Sequence, residues 1–158
     1  MRKYGIEIKW GIIFALVILL WMWLEKSMGL HNENIEKHAT LTNIFAVPAI
    51  IIYLLALLDK RSNHYQGKMT WVQGFISGLI VTAVVTVLTP VNQYIIHTYI
   101  SPEYFENATR FAVESGKMTS EQAKDYFNFK SYISQSLLGA VVMGVVTSAV
   151  IAIFVRRR

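Results

Sequence analysis

The 158-residue chain contains no cysteine, only three prolines and nine glycines, and charged residues make up just 16% of it. Without cysteine there is no disulfide, no thiolate metal site and no thiol catalysis. The low proline and glycine content excludes collagen-like repeats, and a hydrophobic content of 54% excludes disorder. Soluble domains carry about 25% charged residues. The shortage of charge, with a mean hydropathy of +0.40, therefore indicates a membrane protein.

The formal net charge of +5 raises the question of nucleic-acid binding. Nucleic-acid-binding proteins carry basic patches or stripes, and single-strand binders interleave them with aromatic residues. Here the basic residues stand at the edges of apolar runs, where a membrane protein needs them. We therefore expect membrane lipids as partners and no nucleic acid.

Four apolar runs predict four membrane-spanning helices. At a rise of 1.5 Å per residue, about 20 helical residues cross the roughly 30 Å of hydrocarbon in a bilayer. The bilayer-centred parts of the runs contain no Asp, Glu, Lys or Arg. A cleaved secretory signal is the alternative for the first run, and the three further hydrophobic runs count against it. The sequence predicts one all-α domain over residues 1–158, an integral membrane four-helix bundle with spans at about 6–24, 42–58, 71–98 and 131–155.

The distribution of basic residues predicts the orientation of the bundle, because short cytoplasmic segments carry an excess of Lys and Arg. Nine basic residues fall on one side, and six are spread over two longer loops on the other. Both termini should therefore be cytoplasmic, in agreement with an even number of spans. We expect the basic residues of the loop at 59–70 and of the tail to contact anionic lipid headgroups: Lys60, Arg61, Lys68, Arg156, Arg157 and Arg158.

Small residues at four-residue spacing predict how the helices pack. Helices in a bilayer associate through close van der Waals contact and interhelical hydrogen bonds, since lipid tails are as apolar as leucine. The third and fourth runs each carry such a ladder, and we expect the two faces to meet, although the same faces could instead form a homodimer. The ladder residues are Gly74, Gly78, Thr82 and Thr86 in the third run and Ser136, Ala140, Gly144 and Ser148 in the fourth.

The segment at 101–130 predicts an amphipathic helical hairpin on the outer side, between the third and fourth spans. A Ser-Pro-Glu sequence that begins at Ser101 is a helix start, with a hydroxyl cap followed by proline and an acid. Gly116 supplies the stop, and Thr119 with Gln122 forms a capping box for a second helix. We expect its aromatic stripe to pack against the bundle, with docking of a partner or a lipid headgroup as the alternative.

The search for chemistry finds no nucleotide loop, zinc-protease helix or nucleophile elbow. The charge-free spans disfavour an ion-coupled transporter, and the lack of paired acid and base groups disfavours an enzyme. Neutral polar residues gather near the outer end of the third and fourth spans. Such residues most often hydrogen-bond between helices, and here they could instead line a small pocket. The candidate ligand-binding residues are Asn92, Gln93, His97 and Gln135.

The first outer loop holds two histidines and two carboxylates close together in sequence. His31, Glu33, Glu36 and His38 could bind a divalent cation if the loop folded back on itself. Such a loop is more often a solvated polar connector. We therefore expect neither a metal site nor a cofactor.

Three segments resemble a known family. They are ISPEYF at 100–105, DYFN at 125–128 and QSLLGAVVMG at 135–144. Through them the chain is similar, over essentially its whole length, to small bacterial four-span proteins grouped as a domain of unknown function (family number 4199). The resemblance implies a bacterial inner membrane, and it brings no established activity or catalytic residue.

The function predicted from these features is a non-enzymatic inner-membrane protein that serves as a scaffold or accessory subunit of a membrane complex. Its partner would be another membrane protein or a second copy of the chain. The alternative is a carrier or binder of a lipid-like or small neutral ligand, held by the polar cluster. A side-chain-filled interior would count against the carrier.

Overall fold

The computed structural model describes residues 4–157. These residues are almost entirely helical, and among them one antiparallel backbone bridge joins Met69 to Arg157. A 3-10 turn at Thr42–Phe45 leads into the third helix, and a π-helical turn at Ile96–Ile100 follows the fourth. The α-helices are α1 (Gly5–Ser27), α2 (Ile35–Leu41), α3 (Ala46–Asn63), α4 (Trp71–Ile95), α5 (Tyr104–Glu114), α6 (Ser120–Tyr126) and α7 (Phe129–Val155).

Four helical stretches are long and apolar enough to cross a membrane, which confirms the prediction of an all-α membrane protein. In the most apolar part of the α4 stretch 39% of the residues are buried inside the protein, against 22% in α1. α4 is therefore the central helix, and the other spans offer more of their apolar side chains to lipid. The four stretches are Gly5–Ser27, Ile35–Asn63, Trp71–Ile100 and Phe129–Val155.

α4 and α7 run antiparallel and pack through their small residues. A Cβ atom added at Gly78 would lie 2.5 Å from the Cβ of Ser148, and one added at Gly144 would lie 2.5 Å from the hydroxyl oxygen of Thr82. Real Cβ atoms do not approach so closely, so the two glycines set the distance between the two backbones. Because the stretch of each face that holds Gly78 and Gly144 is covered within the chain, that stretch is not free to form a homodimer.

Three hydroxyl groups beside the close approach of α4 and α7 do not bridge the two helices. Each donates a hydrogen bond to the carbonyl oxygen four residues earlier in its own helix, at 2.6–3.0 Å: Thr82, Thr86 and Ser148. Tyr53 of α3 donates to the Thr82 hydroxyl at 2.7 Å and so joins α3 to α4. At this close approach the α4–α7 contact therefore depends on van der Waals packing of closely spaced backbones. Hydrogen bonds join the two helices on either side of it, from the Trp71 indole to the Ala149 carbonyl at 3.0 Å and from the Gln93 amide to the Ser136 hydroxyl at 2.6 Å.

One end of the bundle, here called the arginine end, contains the first turn of α1, the loop at 64–70 and Arg157. A buried ion pair lies just inside it. The Lys60 ammonium of α3 is 2.8 Å from Oε1 of Glu7 in α1, and the Ser77 hydroxyl of α4 donates to the same oxygen at 2.9 Å. All three side chains are 2–3% exposed. This group ties three helices together.

The end of α7 is fastened to the arginine end by backbone hydrogen bonds. The N–H of Met69 donates to the carbonyl of Arg157, and the N–H of Arg157 donates to the carbonyl of Met69, each at 2.8 Å. The Arg61 guanidinium donates to the Val155 carbonyl at 3.0 Å. The loop between α3 and α4 and the tail after α7 therefore form one unit.

The opposite end, here called the hairpin end, contains the last turn of α1, α2, the π-helical turn and the pair α5–α6. Gly116 follows the end of α5 and has a φ of +69°, a conformation that favours glycine. The capping box of Thr119 and Gln122 is present as predicted. The face of α5 that packs on the bundle consists of Tyr104, Ala108 and Ala112.

The predicted cap at Ser101 is wrong. α5 begins at Tyr104, its N-cap position is Glu103, and no side chain caps it. The Ser101 hydroxyl is 2.5 Å from Nδ1 of His31, and the residue is 4% exposed. A long-range contact with the loop between α1 and α2 uses the hydroxyl that the local sequence assigns to a helix cap.

We expect Gly78→Ala to destabilise the bundle by about 1–3 kcal/mol, because the new methyl group would overlap Ser148 and force α4 and α7 apart. Gly139→Ala is the matched control, since a Cβ at Gly139 meets no atom within 4 Å. The midpoint of unfolding in detergent measures the stability of both variants. Equal midpoints for the two variants would contradict the packing described above.

We expect Lys60→Met to cost about 3–5 kcal/mol, because it removes the ion-pair partner of the buried Glu7 carboxylate. The double variant Glu7→Gln/Lys60→Met should recover most of that loss, since no charge is then left buried. Lys9→Met removes a second ion pair between α1 and α3, that of Lys9 with Asp59. Because the Lys9 side chain is 52% exposed, this change should cost less than about 1 kcal/mol. A double variant no more stable than Lys60→Met would contradict this account.

Candidate functional site

A cavity of about 420 Å³ lies in the groove between α3 and α7, with side chains of α1 and α4 as its floor. Small-molecule sites usually have volumes of about 300–1,000 Å³ and mostly apolar walls. The volume of this groove falls within that range. Small residues on the two flanking helices leave the space: Ala46 and Ala49 of α3 and Gly139 and Ala140 of α7.

The cavity opens at the surface of the bundle between α3 and α7. At its two edges Ile50 is 46% exposed and Met143 is 60% exposed. At the arginine end the same two helices are joined by the hydrogen bond from Arg61 to the Val155 carbonyl. The groove therefore opens sideways, on the surface that lipid tails contact in a membrane.

The part of the cavity toward the hairpin end is polar. The Asn92 side-chain amide donates to the backbone carbonyl of Ala15 in α1, at 3.0 Å. The Gln93 amide donates to the Ser136 hydroxyl of α7, at 2.6 Å. Asn92, Gln93 and Ser136 all line the cavity. Two interhelical hydrogen bonds thus place three polar side chains at one end of a largely apolar groove, whose other polar lining residues are Thr42, Asn43, Tyr53, Thr89 and Thr147.

His97 stands behind this polar end rather than in the wall. Its Nε2 donates to Oε1 of Gln93 at 3.0 Å, and its ring stacks on Phe105 at a centroid distance of 4.1 Å. His97 therefore holds the Gln93 amide in position. The cavity lining does not include it.

Gln135 does not join the other three predicted ligand-binding residues. It is exposed, and its amide donates to the Ser131 hydroxyl of its own helix at 2.8 Å. Successive residues of a helix are about 100° apart, and the face of α7 that contacts α4 includes Gly144 and Ser148. Ser136 lies in register with that face, so it takes the position that was predicted for Gln135.

The cavity can hold an uncharged ligand. Its lining contains no Asp, Glu, Lys, Arg or His, and its polar groups are hydroxyls and amides. A hydroxyl that accepts one hydrogen bond, as Ser136 does from Gln93, can still donate another. The site therefore offers hydrogen bonds without a charge to neutralise an ionised group.

The residues predicted to contact lipid headgroups have different environments. Lys68, Arg156 and Arg157 are exposed at the arginine end. Arg61 is half-buried against the end of α7, and Lys60 lies in the ion pair with Glu7. Lys60 therefore does not offer its ammonium to a headgroup, because the Glu7 carboxylate holds it inside the bundle. Arg158 lies outside the described residues.

A buried polar group at the hairpin end was missed by the sequence interpretation. His31 and His38 come together as considered, but their acidic neighbour is Glu25, and both Glu33 and Glu36 are exposed. His31 is 1% exposed and Glu25 is 2% exposed, so this loop is not a solvated connector. Glu25 ends an apolar run in the sequence, where a carboxylate normally marks the membrane boundary, and no local signal indicates its burial.

The comparisons with known proteins identify a family whose function is unknown. The family described as "Protein of unknown function (DUF4199)" matches residues 9–157, nearly the whole chain. This match confirms the resemblance carried by the three sequence segments. No curated protein and no solved structure matches the chain significantly.

Proposed function

The chain belongs to the DUF4199 family, whose function is unknown, and we propose that it is a non-enzymatic membrane protein that binds a neutral, lipid-like molecule. The binding site is the groove between α3 and α7. The observation that carries this proposal is a cavity of about 420 Å³ with largely apolar walls and an uncharged polar end.

The apolar walls fit a hydrocarbon chain that enters from the bilayer. In lipid such a chain gains little from burial alone, because the surrounding tails are equally apolar. Shape complementarity in the groove and hydrogen bonds at its polar end must therefore supply the selectivity. Asn92, Gln93 and Ser136 are the residues that would make those hydrogen bonds.

The polar end favours an alcohol, ester or amide as the head of the ligand. Burying an ionised group without a compensating charge costs several kcal/mol, and no charged side chain lines the cavity. A phosphorylated or carboxylate-bearing lipid would meet that cost. A neutral lipid would not.

The second candidate, a scaffold or accessory subunit, has less support from the surface. Within residues 4–157 the exposed apolar side chains are spread over α1, α3, α4 and α7, and lipid tails account for such a distribution. A partner-binding face would gather them into one patch. We therefore place the binder of a lipid-like ligand ahead of the scaffold.

We further propose that the protein resides in a bacterial inner membrane with both termini in the cytoplasm. The exposed side chains of Lys68, Arg156 and Arg157 support this orientation, because they cluster at the arginine end. Basic residues there would contact anionic headgroups of the cytoplasmic leaflet, each worth about 1 kcal/mol.

Filling the groove should abolish ligand binding without unfolding the protein. Gly139→Phe adds a ring at a cavity-lining position where a Cβ meets no atom within 4 Å. We expect crosslinking of a photoactivatable diacylglycerol in detergent to fall at least about 10-fold, which corresponds to about 1.4 kcal/mol of binding free energy.

The matched control is Leu138→Phe, at a position that is 67% exposed and does not line the cavity. It should leave the crosslinking unchanged. Equal labelling of the two variants would contradict the groove as the site. If they label equally and the wild-type protein is isolated from membranes with a stoichiometric partner, the scaffold becomes the better proposal.

Reporter fusions test the orientation. Fluorescent protein fused after the tail should be bright, and alkaline phosphatase fused at the same place should be inactive, because the tail is cytoplasmic. Alkaline phosphatase inserted at the hairpin turn, next to Gly116, should be active. Active phosphatase at the tail would overturn the proposed orientation.

A further inference from the structure

Three side chains from separate segments converge at the hairpin end. Glu25 belongs to the last turn of α1, His31 to the loop that follows, and His38 to α2. One carboxylate oxygen and one nitrogen from each imidazole lie within 4.8 Å of one another. Glu25 and His31 are almost fully buried, and the side chain of His38 is 17% exposed.

Two of the three separations match those of ligand atoms around a small metal ion. Nε2 of His31 and Nε2 of His38 are each 3.3 Å from Oε2 of Glu25. Ligand atoms about 2.05 Å from a tetrahedral Zn²⁺ lie about 3.3 Å from each other. Two edges of such a tetrahedron are therefore already present.

The contact between His38 and Glu25 is within ion-pair distance but lacks ideal hydrogen-bond geometry. Nε2 of His38 is buried and makes no hydrogen bond with any residue in the described range 4–157. It is nevertheless 3.3 Å from Oε2 of Glu25. A metal ion between the two groups would use both the buried nitrogen and the carboxylate oxygen.

The far sides of both imidazoles are held by hydroxyl groups. Nδ1 of His31 is 2.5 Å from the Ser101 hydroxyl, and Nδ1 of His38 is 3.5 Å from the Tyr104 hydroxyl. The Tyr104 hydroxyl is in turn 3.0 Å from that of Tyr132. Metal-ligating histidines commonly have such partners, which fix the tautomer and leave Nε2 for the metal.

The remaining groups are fixed in place as well. The Trp21 indole donates to Oε1 of Glu25 at 2.6 Å, which leaves Oε2 to face the two histidines. The side-chain amide of Asn107 donates to the His31 carbonyl at 3.0 Å, so α5 holds the loop against the bundle. The three ligand atoms thus have second partners that orient them.

From this arrangement we propose that Glu25, His31 and His38 form a binding site for a divalent transition-metal ion, with Zn²⁺ as the best match. Two imidazoles and one carboxylate are a zinc ligand set, with a fourth position for water or another ligand. Mg²⁺ and Ca²⁺ prefer six or more oxygen ligands, which the described residues do not supply here. The ion would fasten α2 and the first outer loop to α1, independently of any ligand in the groove.

The test uses the full-length protein in mild detergent, purified through a tag without histidine and stripped with a chelator. We expect titration calorimetry to show one equivalent of Zn²⁺ bound per chain. Co²⁺ should give the intense visible bands of tetrahedral coordination. His31→Gln and His38→Gln should each weaken binding by more than about 100-fold, and Ser101→Ala should weaken it by roughly 10-fold or more.

His64→Gln is the matched control, because His64 is exposed and lies at the arginine end. It should bind Zn²⁺ as the wild-type protein does. Circular dichroism and the melting temperature without metal show whether each variant is folded. Failure of the folded wild-type protein to bind Zn²⁺ saturably would overturn the proposal. Wild-type Zn²⁺ affinity in the folded His31→Gln and His38→Gln variants would overturn it as well. Neither result would affect the groove, which is tested by lipid crosslinking.

Discussion

The close approach of α4 and α7 is the contact on which the rest of the bundle depends. In lipid there is no hydrophobic driving force between helices, so the gain comes from the number of atoms in van der Waals contact. Gly78 opposite Ser148 and Gly144 opposite Thr82 allow the backbones that proximity. With α4 fixed against α7, the groove beside them has a rigid floor, and Gln93 can reach Ser136 across the gap.

α1 carries a buried carboxylate near each end of the bundle, Glu7 at the arginine end and Glu25 at the hairpin end. Glu7 and Glu25 are 18 residues apart in the sequence, which is five helical turns, so they lie on the same face of α1. At 1.5 Å per residue they are separated by about 27 Å, close to the roughly 30 Å of bilayer hydrocarbon. One therefore stands near each boundary of the membrane, and each joins α1 to other segments: Glu7 to Lys60 and Ser77, Glu25 to the two histidines.

Much of the fold could be predicted because a bilayer imposes simple periodicities. Apolar runs of sufficient length indicate the spans, and residues such as Gly78 and Gly144 stand out at four-residue spacing. The capping box at Thr119 could also be recognised, since it is a local hydrogen-bond pattern. These features depend on neighbours in sequence.

The site was predicted only in part because its details depend on long-range contacts. A rotation of one residue, about 100° on a helix, separates the exposed Gln135 from Ser136 in the cavity wall. Lys60 resembles a headgroup-binding residue until Glu7 is found beside it. Ser101 resembles a helix cap until His31 approaches its hydroxyl. In each case a residue more than 40 positions away decides the role.

The paired backbone hydrogen bonds between Met69 and Arg157 have a mechanical consequence. They connect the chain after α7 to the residue just before α4, so the two most closely packed helices are also clipped together at one end. Tension applied to the carboxyl terminus would pass into the start of α4 rather than peel α7 away from its last turn. The two helices would resist extraction from the bilayer as a single hairpin, fastened where the force enters.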